Sequence, residues 1–249
     1  MNFYSVIIGS ELLNGRRTDA HFDFLNKELL KRGWEQKANF VIKDEPKFIE
    51  DVFSLVKSDP DSVMISFGGI GATPDDYTRQ CAANIFTDGQ MQINEQSKKC
   101  IVDRFGDETY PHRMNMANLP INAKLLKNPI TNVPGFYLED RFFFVPGFPS
   151  MARPMILEAL DKHYPKNKAK IRLTLKANTS ENDIIDTMKS IPAHINVSSL
   201  PQIVEDKRFV VVSVAADDEN EAKKYFNMFI ELFESSGVSY SIGDDTKIL

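Results

Sequence analysis

Short apolar segments alternate with amphipathic segments along the first third of the chain. Three apolar runs have the length and composition of buried strands: 3–8, 40–42 and 63–67. Apolar residues recur at helical spacing in the segments that follow them: 18–32, 46–56 and 74–85. A strand followed by a helix, repeated in this way, predicts a parallel sheet covered by helices on both faces. Ligands of such sheets bind beyond the carboxyl ends of the strands.

The second half of the chain predicts a hairpin, two further helices and a separate small domain. Phe136–Leu138 and Phe142–Val145 flank a turn, and helices are expected over 90–105 and 150–163. A polar linker is predicted at 165–168. Beyond it the signals follow the order β-α-β-β-α-β, which is the ferredoxin-like split unit. We therefore predict a three-layer α/β/α sandwich over residues 1–165 and a small α+β domain over 170–249.

A glycine-rich loop follows the third predicted strand and precedes a predicted helix. It contains Gly68, Gly69, Ile70 and Gly71. Glycines let backbone N–H groups approach an anion, and the start of a helix adds partial positive charge. The loop therefore predicts a site for phosphate or pyrophosphate. It is neither the Walker loop, which needs Gly-Lys-Ser/Thr, nor the dinucleotide fingerprint, which has another glycine spacing.

Two carboxylates, Asp75 and Asp76, stand directly after this loop. They would repel a phosphate unless a cation lay between them, and Mg²⁺ binds through one or two carboxylates together with phosphate oxygens. An alternative is a helix start in which Thr73 is the N-cap and Asp76 completes an acidic capping box. The sequence leaves both interpretations open, and Asp76 could serve in both.

Other polar residues carry weaker signals. Gly9, Ser10 and Glu11 follow the first strand, where Glu11 is either a metal or hydroxyl partner or a surface acid. Pro146 and Gly147 open a loop that could form a wall for a planar ligand. The four histidines share no spacing that indicates a common site, so we expect surface or packing roles for His21, His112, His163 and His194.

Composition narrows the class of protein. The net charge of −5 argues against a protein that mainly grips nucleic acid, which needs a basic face. Two cysteines exclude a disulfide scaffold and favour a reducing compartment. The chain has no apolar run long enough to span a membrane and no basic leader at its start. We therefore expect a cytoplasmic protein with no membrane partner.

The loops together resemble the N-terminal, molybdopterin-binding-like domain of the competence/damage-inducible protein CinA, which is shared with MogA and MoaB and also occurs in FAD synthases. The resemblance spans about residues 3–160, and a weaker one continues over 170–243. The matching motifs are Gly9–Gly15 (GSELLNG), Gly68–Thr78 (GGIGATPDDYT), Met116–Pro120 (MANLP), Pro134–Phe136 (PGF) and Pro146–Pro149 (PGFP).

This resemblance implies a nucleotide pyrophosphatase that hydrolyses ADP-ribose or FAD and releases AMP, with Mg²⁺, Mn²⁺ or Co²⁺ as cofactor. It implies catalytic roles for Asp76 and Asp75, and a metal site formed by these two with Glu11. The expected substrate-binding residues are Gly9, Ser10, Gly68, Gly69, Ile70, Gly71, Thr73, Pro146 and Gly147.

Three departures from the family pattern keep two rival functions open. The inner glycine of one loop is absent at 130–133, Ser150 replaces a usual glutamate, and Asn115 replaces a frequent lysine. The rivals are a pterin-binding protein of molybdenum-cofactor synthesis and a non-catalytic nucleotide-binding relative. Family members form oligomers, so a homodimer is expected, with the aromatic run Phe142–Phe144 as a candidate interface.

Overall fold

The computed structural model describes residues 1–164, 166–204 and 207–243. The chain divides into two compact units, Met1–Asn167 and Lys168–Leu249. Within the described residues, no helix combines the length and the apolar character needed to cross a membrane.

The first unit is built on a mainly parallel sheet. Its strands are β1 (Asn2–Ile8), β2 (Gln36–Ile42), β3 (Ser62–Phe67), β4 (Met91–Ile93), β5 (Asn118–Pro120), β6 (Lys124–Leu126), β7 (Gly135–Leu138) and β8 (Phe142–Val145). Six of them form the sheet in the order β2-β1-β3-β8-β7-β6, and β4 pairs separately with β5. The strands β2, β1, β3 and β8 run parallel, whereas β7 is antiparallel to β8 and to β6.

Helices cover both faces of this sheet. The helices of this unit are α1 (Ser10–Leu13), α2 (Phe22–Lys31), α3 (Pro46–Lys57), α4 (Thr78–Phe86), α5 (Glu95–Phe105) and α6 (Pro149–His163). The buried residues of α5 belong to neither sheet core. Successive side chains of a strand point to opposite faces. Phe3 and Ile7 of β1 accordingly enter the core that contains α2 and α6, while Val6 and Ile8 enter the core that contains α3 and α4. The predicted α/β/α arrangement is confirmed.

The aromatic run in β8 lies inside the molecule and cannot be the predicted interface. Phe142, Phe143 and Phe144 are at most 1% exposed. The hairpin inserts β8 between β3 and β7, so helices cover the strand on both sides. Phe143 packs into one core and its two neighbours into the other. The aromatic run that the sequence suggested as an interface therefore contributes to the cores on both faces of the sheet.

Three helices of the first unit begin later than the sequence predicts. The helix expected over 18–32 begins at Phe22. The helix expected at Pro74 begins at Thr78, because 73–77 form turns in which the Thr73 carbonyl accepts the Asp76 N–H at 3.1 Å. The helix expected over 90–105 is preceded by β4 and begins after Asn94, whose side chain accepts the Ser97 N–H at 2.9 Å. A side-chain cap fixes the start of the helix at Asn94. Tyr77, which precedes Thr78, makes no such contact, and the backbone turns of 73–77 delay that helix.

The second unit is an antiparallel α+β domain. Its elements are β9 (Ile171–Ala177), α7 (Ile185–Ser190), β10 (Asn196–Val204), β11 (Lys207–Ala216), α8 (Glu219–Ser235) and β12 (Tyr240–Ile242). The strand order is β10-β11-β9-β12 with antiparallel pairs throughout. This is the arrangement expected for the ferredoxin-like split unit. Its own core forms between this sheet and α8, through Phe226, Phe229 and Phe233.

Candidate functional site

Three loops meet at the carboxyl ends of β1, β3 and β8. A backbone hydrogen bond joins the loop after β3 to the end of β8, since the Gly68 N–H donates to the Val145 carbonyl at 2.9 Å. The loop after β1 is held to the end of β2, where the Gly9 N–H donates to the Ile42 carbonyl at 3.0 Å. Beside the loops after β3 and β8 lies a cavity of about 460 Å³, which we call the main cavity. Parallel strands end at the same edge of the sheet, so this position follows from the topology.

The glycine loop after β3 is too tightly packed for any larger residue at two positions. Gly68 has φ +96°, and a Cβ there would lie 2.4 Å from the Ile8 carbonyl oxygen. Gly69 has φ +67°, and a Cβ there would lie 2.2 Å from the Thr78 hydroxyl. That hydroxyl donates to the Gly68 carbonyl at 2.9 Å, so the first residue of α4 fastens the loop to the sheet. Glycine is required here by both conformation and space.

A buried arginine lies behind the loop. The Arg79 side chain donates hydrogen bonds to the carbonyls of Ile70 and Gly71, and the residue is 8% exposed. Burial lowers the pKa of Arg79, and the nearby charge of Asp76 opposes that change. Arginine stays protonated in proteins because its ordinary pKa is above 12. The loop therefore has a fixed positive charge behind it, which favours an anionic ligand in front.

Asp76 closes the loop and lines the main cavity. Its Oδ2 accepts the Thr73 N–H at 2.7 Å and the Thr73 hydroxyl at 2.6 Å. A Cβ on Gly71 would lie 2.7 Å from the same oxygen. Of the two hydrogen bonds expected of a capping box, the one from the Thr73 N–H to the Asp76 carboxylate is present, whereas the Asp76 N–H donates to the Thr73 carbonyl rather than to its hydroxyl. The contact braces a turn rather than the first turn of a helix. Asp76 therefore supports the loop and faces the cavity at the same time.

The other two acids lie apart from Asp76. Asp75 is exposed and is not among the described residues that line the main cavity. Hydrogen bonding by the Thr73 side chain lowers the pKa of Asp75, so this carboxylate is ionised. Glu11 folds over Gly9 and lies 3.6 Å from the Arg17 guanidinium. Within the described ranges, no group of three or more His, Cys, Asp or Glu side chains is placed to hold a metal ion.

Ser10 and Gly9 belong to the neighbouring loop. The Ser10 N–H donates to Asp44 Oδ2 at 2.7 Å, and the Asp44 N–H donates to the Ser10 hydroxyl at 3.3 Å. These bonds use the polar groups of Ser10 to fasten β1 to the end of β2. A small pocket of about 50 Å³ lies next to this loop and is lined by Glu11 among others.

His21 is a buried part of the site that the sequence did not indicate. Its ring stacks on Phe67 with centroids 4.4 Å apart, and its Nε2 lies 3.2 Å from the Gly147 carbonyl. Arg17 donates to the same carbonyl at 3.1 Å. Burial lowers the pKa of His21, so the ring is neutral and donates through Nε2. Its Nδ1 is buried with no hydrogen-bond partner among the described residues. His21 and Arg17 thus hold the loop after β8.

The rest of the main cavity is mostly apolar, with Asn128 and Thr131 as its further polar residues among those described. Ile70 and Phe148 contribute side chains from the loops, and Phe105, Met116 and Met151 contribute side chains from the surrounding segments. Phe148 is 58% exposed although it is a large aromatic residue. Apolar and aromatic walls with a few polar groups are typical of ligand cavities, and such walls fit a flat heterocycle.

The structure brings most of the predicted site residues to this cavity. The predicted residues that line it are Gly69, Ile70, Gly71, Thr73, Asp76, Pro146 and Gly147. Gly68 lies beneath the loop, while Gly9, Ser10 and Glu11 belong to the adjoining loop. Arg17, His21 and Arg79 were not predicted as site residues. The structure shows that the Asp19 carboxylate, two residues before His21, accepts the His21 N–H at 2.9 Å.

Comparisons with known proteins agree with this architecture. A family model described as "Probable molybdopterin binding domain" matches residues 5–185. A solved structure of the protein CinA with unknown function from Thermoplasma acidophilum is 27% identical, with a TM-score of 0.58; it covers 65% of this chain and 96% of that one.

Among curated relatives, a CinA-like protein of Fusobacterium nucleatum is 27% identical over 68% of this chain and 42% of its own length. A CinA-like protein of Geotalea uraniireducens is 29% identical over 64% of this chain and 39% of its own length. The chain therefore spans about two fifths of these CinA-like proteins. A protein of Caldivirga maquilingensis, in contrast, is 28% identical over 89% of this chain and 90% of its own length.

Proposed function

Since the chain belongs to the molybdopterin-binding domain family matched by residues 5–185, we propose that its main cavity binds a phosphorylated planar heterocycle and hydrolyses a nucleotide pyrophosphate, ADP-ribose or FAD, to release AMP. One observation carries the proposal. A single cavity joins an apolar slot to the glycine loop and to a carboxylate, Asp76. A nucleotide pyrophosphate has the matching parts: a flat ring, a dianionic linker and a bond that metal-assisted hydrolysis can break.

The chain's own residues account for substrate binding. The ring packs between Ile70 and Met116, which lie on the wall of the same cavity. The diphosphate lies against the glycine loop, where the positive charge of Arg79 stands behind the Ile70 and Gly71 carbonyls. Phe148 and Met151 shield the ring side from water. Preorganised charge of this kind favours the anionic linker and the further charge that develops during cleavage.

A divalent ion fits two of the three proposed ligands. Both described hydrogen bonds to Asp76 end on Oδ2, so Oδ1 can take part in metal binding. Asp75, its neighbour in the chain, is ionised, and its exposed side chain would have to turn toward the cavity to share the ion. Two carboxylates suffice for Mg²⁺ when substrate oxygens complete its shell. Glu11 is the weaker third ligand, because it pairs with Arg17. When bound, the ion lowers the pKa of a water molecule and stabilises charge on the phosphates.

A product assay tests the proposal. Purified protein is incubated with ADP-ribose, FAD or a molybdopterin precursor in the presence of Mg²⁺, Mn²⁺ or Co²⁺, and AMP is measured by chromatography. We expect metal-dependent release of AMP from a nucleotide pyrophosphate. Absence of AMP with every nucleotide and every ion would overturn the hydrolytic proposal.

The second candidate is a pterin-binding protein of molybdenum-cofactor synthesis that does not hydrolyse nucleotides. The family match supports binding of a pterin. The two hydrogen bonds that Asp76 Oδ2 accepts from Thr73 favour a structural role for Asp76. In this case the assay shows tight binding of the precursor and no AMP. A non-catalytic nucleotide-binding relative would instead bind ADP-ribose or FAD and leave it intact.

We also propose that the chain forms a homodimer, although not through Phe142–Phe144. Light scattering coupled to size-exclusion chromatography measures the mass directly. A mass equal to one 28.3 kDa chain at all concentrations would contradict the dimer.

A further inference from the structure

A second cavity adjoins the main cavity across the glycine loop. It has a volume of about 740 Å³ and is lined in part by Tyr110, His112 and Asn115. The two cavities share Ala72 and Thr73 as lining residues. The loop proposed to hold the diphosphate therefore forms a wall with a cavity on each side. Each cavity is large enough for an aromatic ring system.

The wall continues beyond the loop through neighbouring residues, of which one lines the main cavity and the other the second cavity. Phe105 lines the main cavity, and the guanidinium of Arg113, which lines the second cavity, lies 4.5 Å from the centre of the Phe105 ring. Met116 lines the main cavity, whereas its chain neighbour Asn115 lines the second. One continuous wall therefore separates two compartments that meet at Ala72–Thr73.

The second cavity has the chemistry of a ring-binding compartment. Tyr110 is 61% exposed and supplies a flat surface for stacking. Its segment is held in place by Arg113, which donates to the backbone carbonyl of Glu108 at 2.9 Å and to the Glu108 carboxylate at 2.6 Å. Asn115 and His112 offer polar groups for the edge of a ring. A base that stacks on a positioned aromatic side chain gains affinity with little dependence on its identity.

We infer that this site takes a substrate with two ring systems joined by a diphosphate. One ring occupies the main cavity, the diphosphate crosses Ala72–Thr73, and the second ring stacks on Tyr110. The inference rests on the proposed function and narrows its substrate class to dinucleotide-like pyrophosphates. It assigns Tyr110 as a specificity-determining residue, since ADP-ribose has a single aromatic ring system and places only a ribose, which cannot stack on Tyr110, beyond its diphosphate.

Binding measurements on matched ligands test the inference. Isothermal titration calorimetry, in EDTA and in Mg²⁺, compares FAD and diadenosine diphosphate with ADP-ribose. Stacking of one base is worth about 1–3 kcal/mol, so we expect the two-ring ligands to bind roughly tenfold more tightly. Tyr110→Ala should remove most of that difference, and Tyr110→Phe, which keeps the ring, should retain it. Circular dichroism of both variants checks that they fold like the parent protein.

The outcomes separate this inference from the proposed hydrolysis. Equal affinity of the parent protein for one-ring and two-ring ligands would overturn the inference, as would an equal loss for both classes in Tyr110→Ala. If two-ring ligands bind with the expected dependence on Tyr110 but yield no AMP, the inference stands and hydrolysis is wrong. If ADP-ribose is cleaved and Tyr110→Ala changes no preference, hydrolysis stands and the inference is wrong. Binding of none of these ligands would overturn both.

Discussion

The carboxylate of Asp76 combines a structural contact with a place on the cavity wall. Asp76→Asn keeps an oxygen that can accept both Thr73 hydrogen bonds but removes the charge needed for a metal ion. We expect AMP release to fall by about 100-fold or more, which corresponds to about 3 kcal/mol of lost transition-state stabilisation. The melting temperature should change little. Steady-state kinetics and differential scanning calorimetry measure the two quantities.

Asp76→Ala is the matched control, because it removes the charge and both acceptor contacts. Loss of a capping side chain costs about 1 kcal/mol, so this variant should lose stability as well as activity. If Asp76→Asn loses activity only in proportion to lost stability, the carboxylate serves the loop alone. The metal role of Asp76 would then be wrong.

His21 makes the stability of the first unit dependent on pH. Its pKa in the folded protein is lowered by burial, below the ordinary value of about 6.5 in the unfolded chain. As the pH falls, the unfolded chain therefore takes up this proton first. The contribution of neutral His21 to the free energy of unfolding is therefore complete above about pH 6.5, and it is lost as the pH falls through the folded-state pKa of His21. Each pKa unit of lowering corresponds to about 1.4 kcal/mol.

His21→Gln isolates this contribution, since glutamine does not titrate and keeps an N–H that can donate to Gly147. Urea denaturation between pH 5 and pH 8 should show a smaller loss of unfolding free energy at low pH in the variant than in the parent. Burial also lowers the pKa of His163, and this residue contributes equally in both proteins. Identical pH profiles would contradict a role for His21.

At the residue scale, the sequence predicted contacts between residues that are close together in the chain. Thr73 and Asp76 are three residues apart, so their spacing alone predicted a capping interaction. His21 and Gly147 are separated by 126 residues, and no spacing rule connects them. Arg79 stands six residues after Thr73, but its role depends on contacts with the Ile70 and Gly71 carbonyls, which no spacing rule predicts.

At the scale of elements, Thr78 connects the end of β3 to the start of α4. Its buried hydroxyl donates to the Gly68 carbonyl at 2.9 Å. Thr78→Val keeps the shape and leaves that carbonyl without its partner, which should cost about 1–3 kcal/mol. Thr87→Val, at the other end of α4, removes a hydroxyl that lies 3.1 Å from the Ala83 carbonyl and 2.9 Å from the Gln90 carbonyl at a partly exposed position. Water can replace the hydroxyl there, so this substitution should cost less. Chemical denaturation of the two variants gives the comparison, and equal losses would contradict the connecting role of Thr78.

Whether a segment forms a strand or a helix was easier to predict from the sequence than the residues at which it begins and ends. The buried runs in β1 and β3 are apolar on both faces, which is the signal of a central parallel strand. The short strand β4 gave no such signal, because two of its three residues are exposed and its partner β5 lies well beyond it in the chain. Its existence depends on pairing rather than on local composition, so a pattern-based prediction assigned these residues to a helix.

At the scale of the molecule, every described residue that lines either cavity belongs to the first unit. The order of strands and helices was sufficient to predict both folds, since each order is compatible with few topologies. The shared wall between the two cavities was not predictable from the order. It depends on segments 105–116 and 68–76, which are placed side by side only by the folded chain.

Residues 1–167 should therefore carry ligand binding without the second unit. Each unit has its own buried core, so we expect the fragment 1–167 to unfold cooperatively and to bind the two-ring ligands within about threefold of the full chain. Calorimetry and ligand titration of both proteins provide the comparison. The family model extends to residue 185, which makes fragment 1–185 the matched control. If only the longer fragment folds and binds, residues beyond 167 complete the first unit, and the division at that point does not mark an independent binding domain.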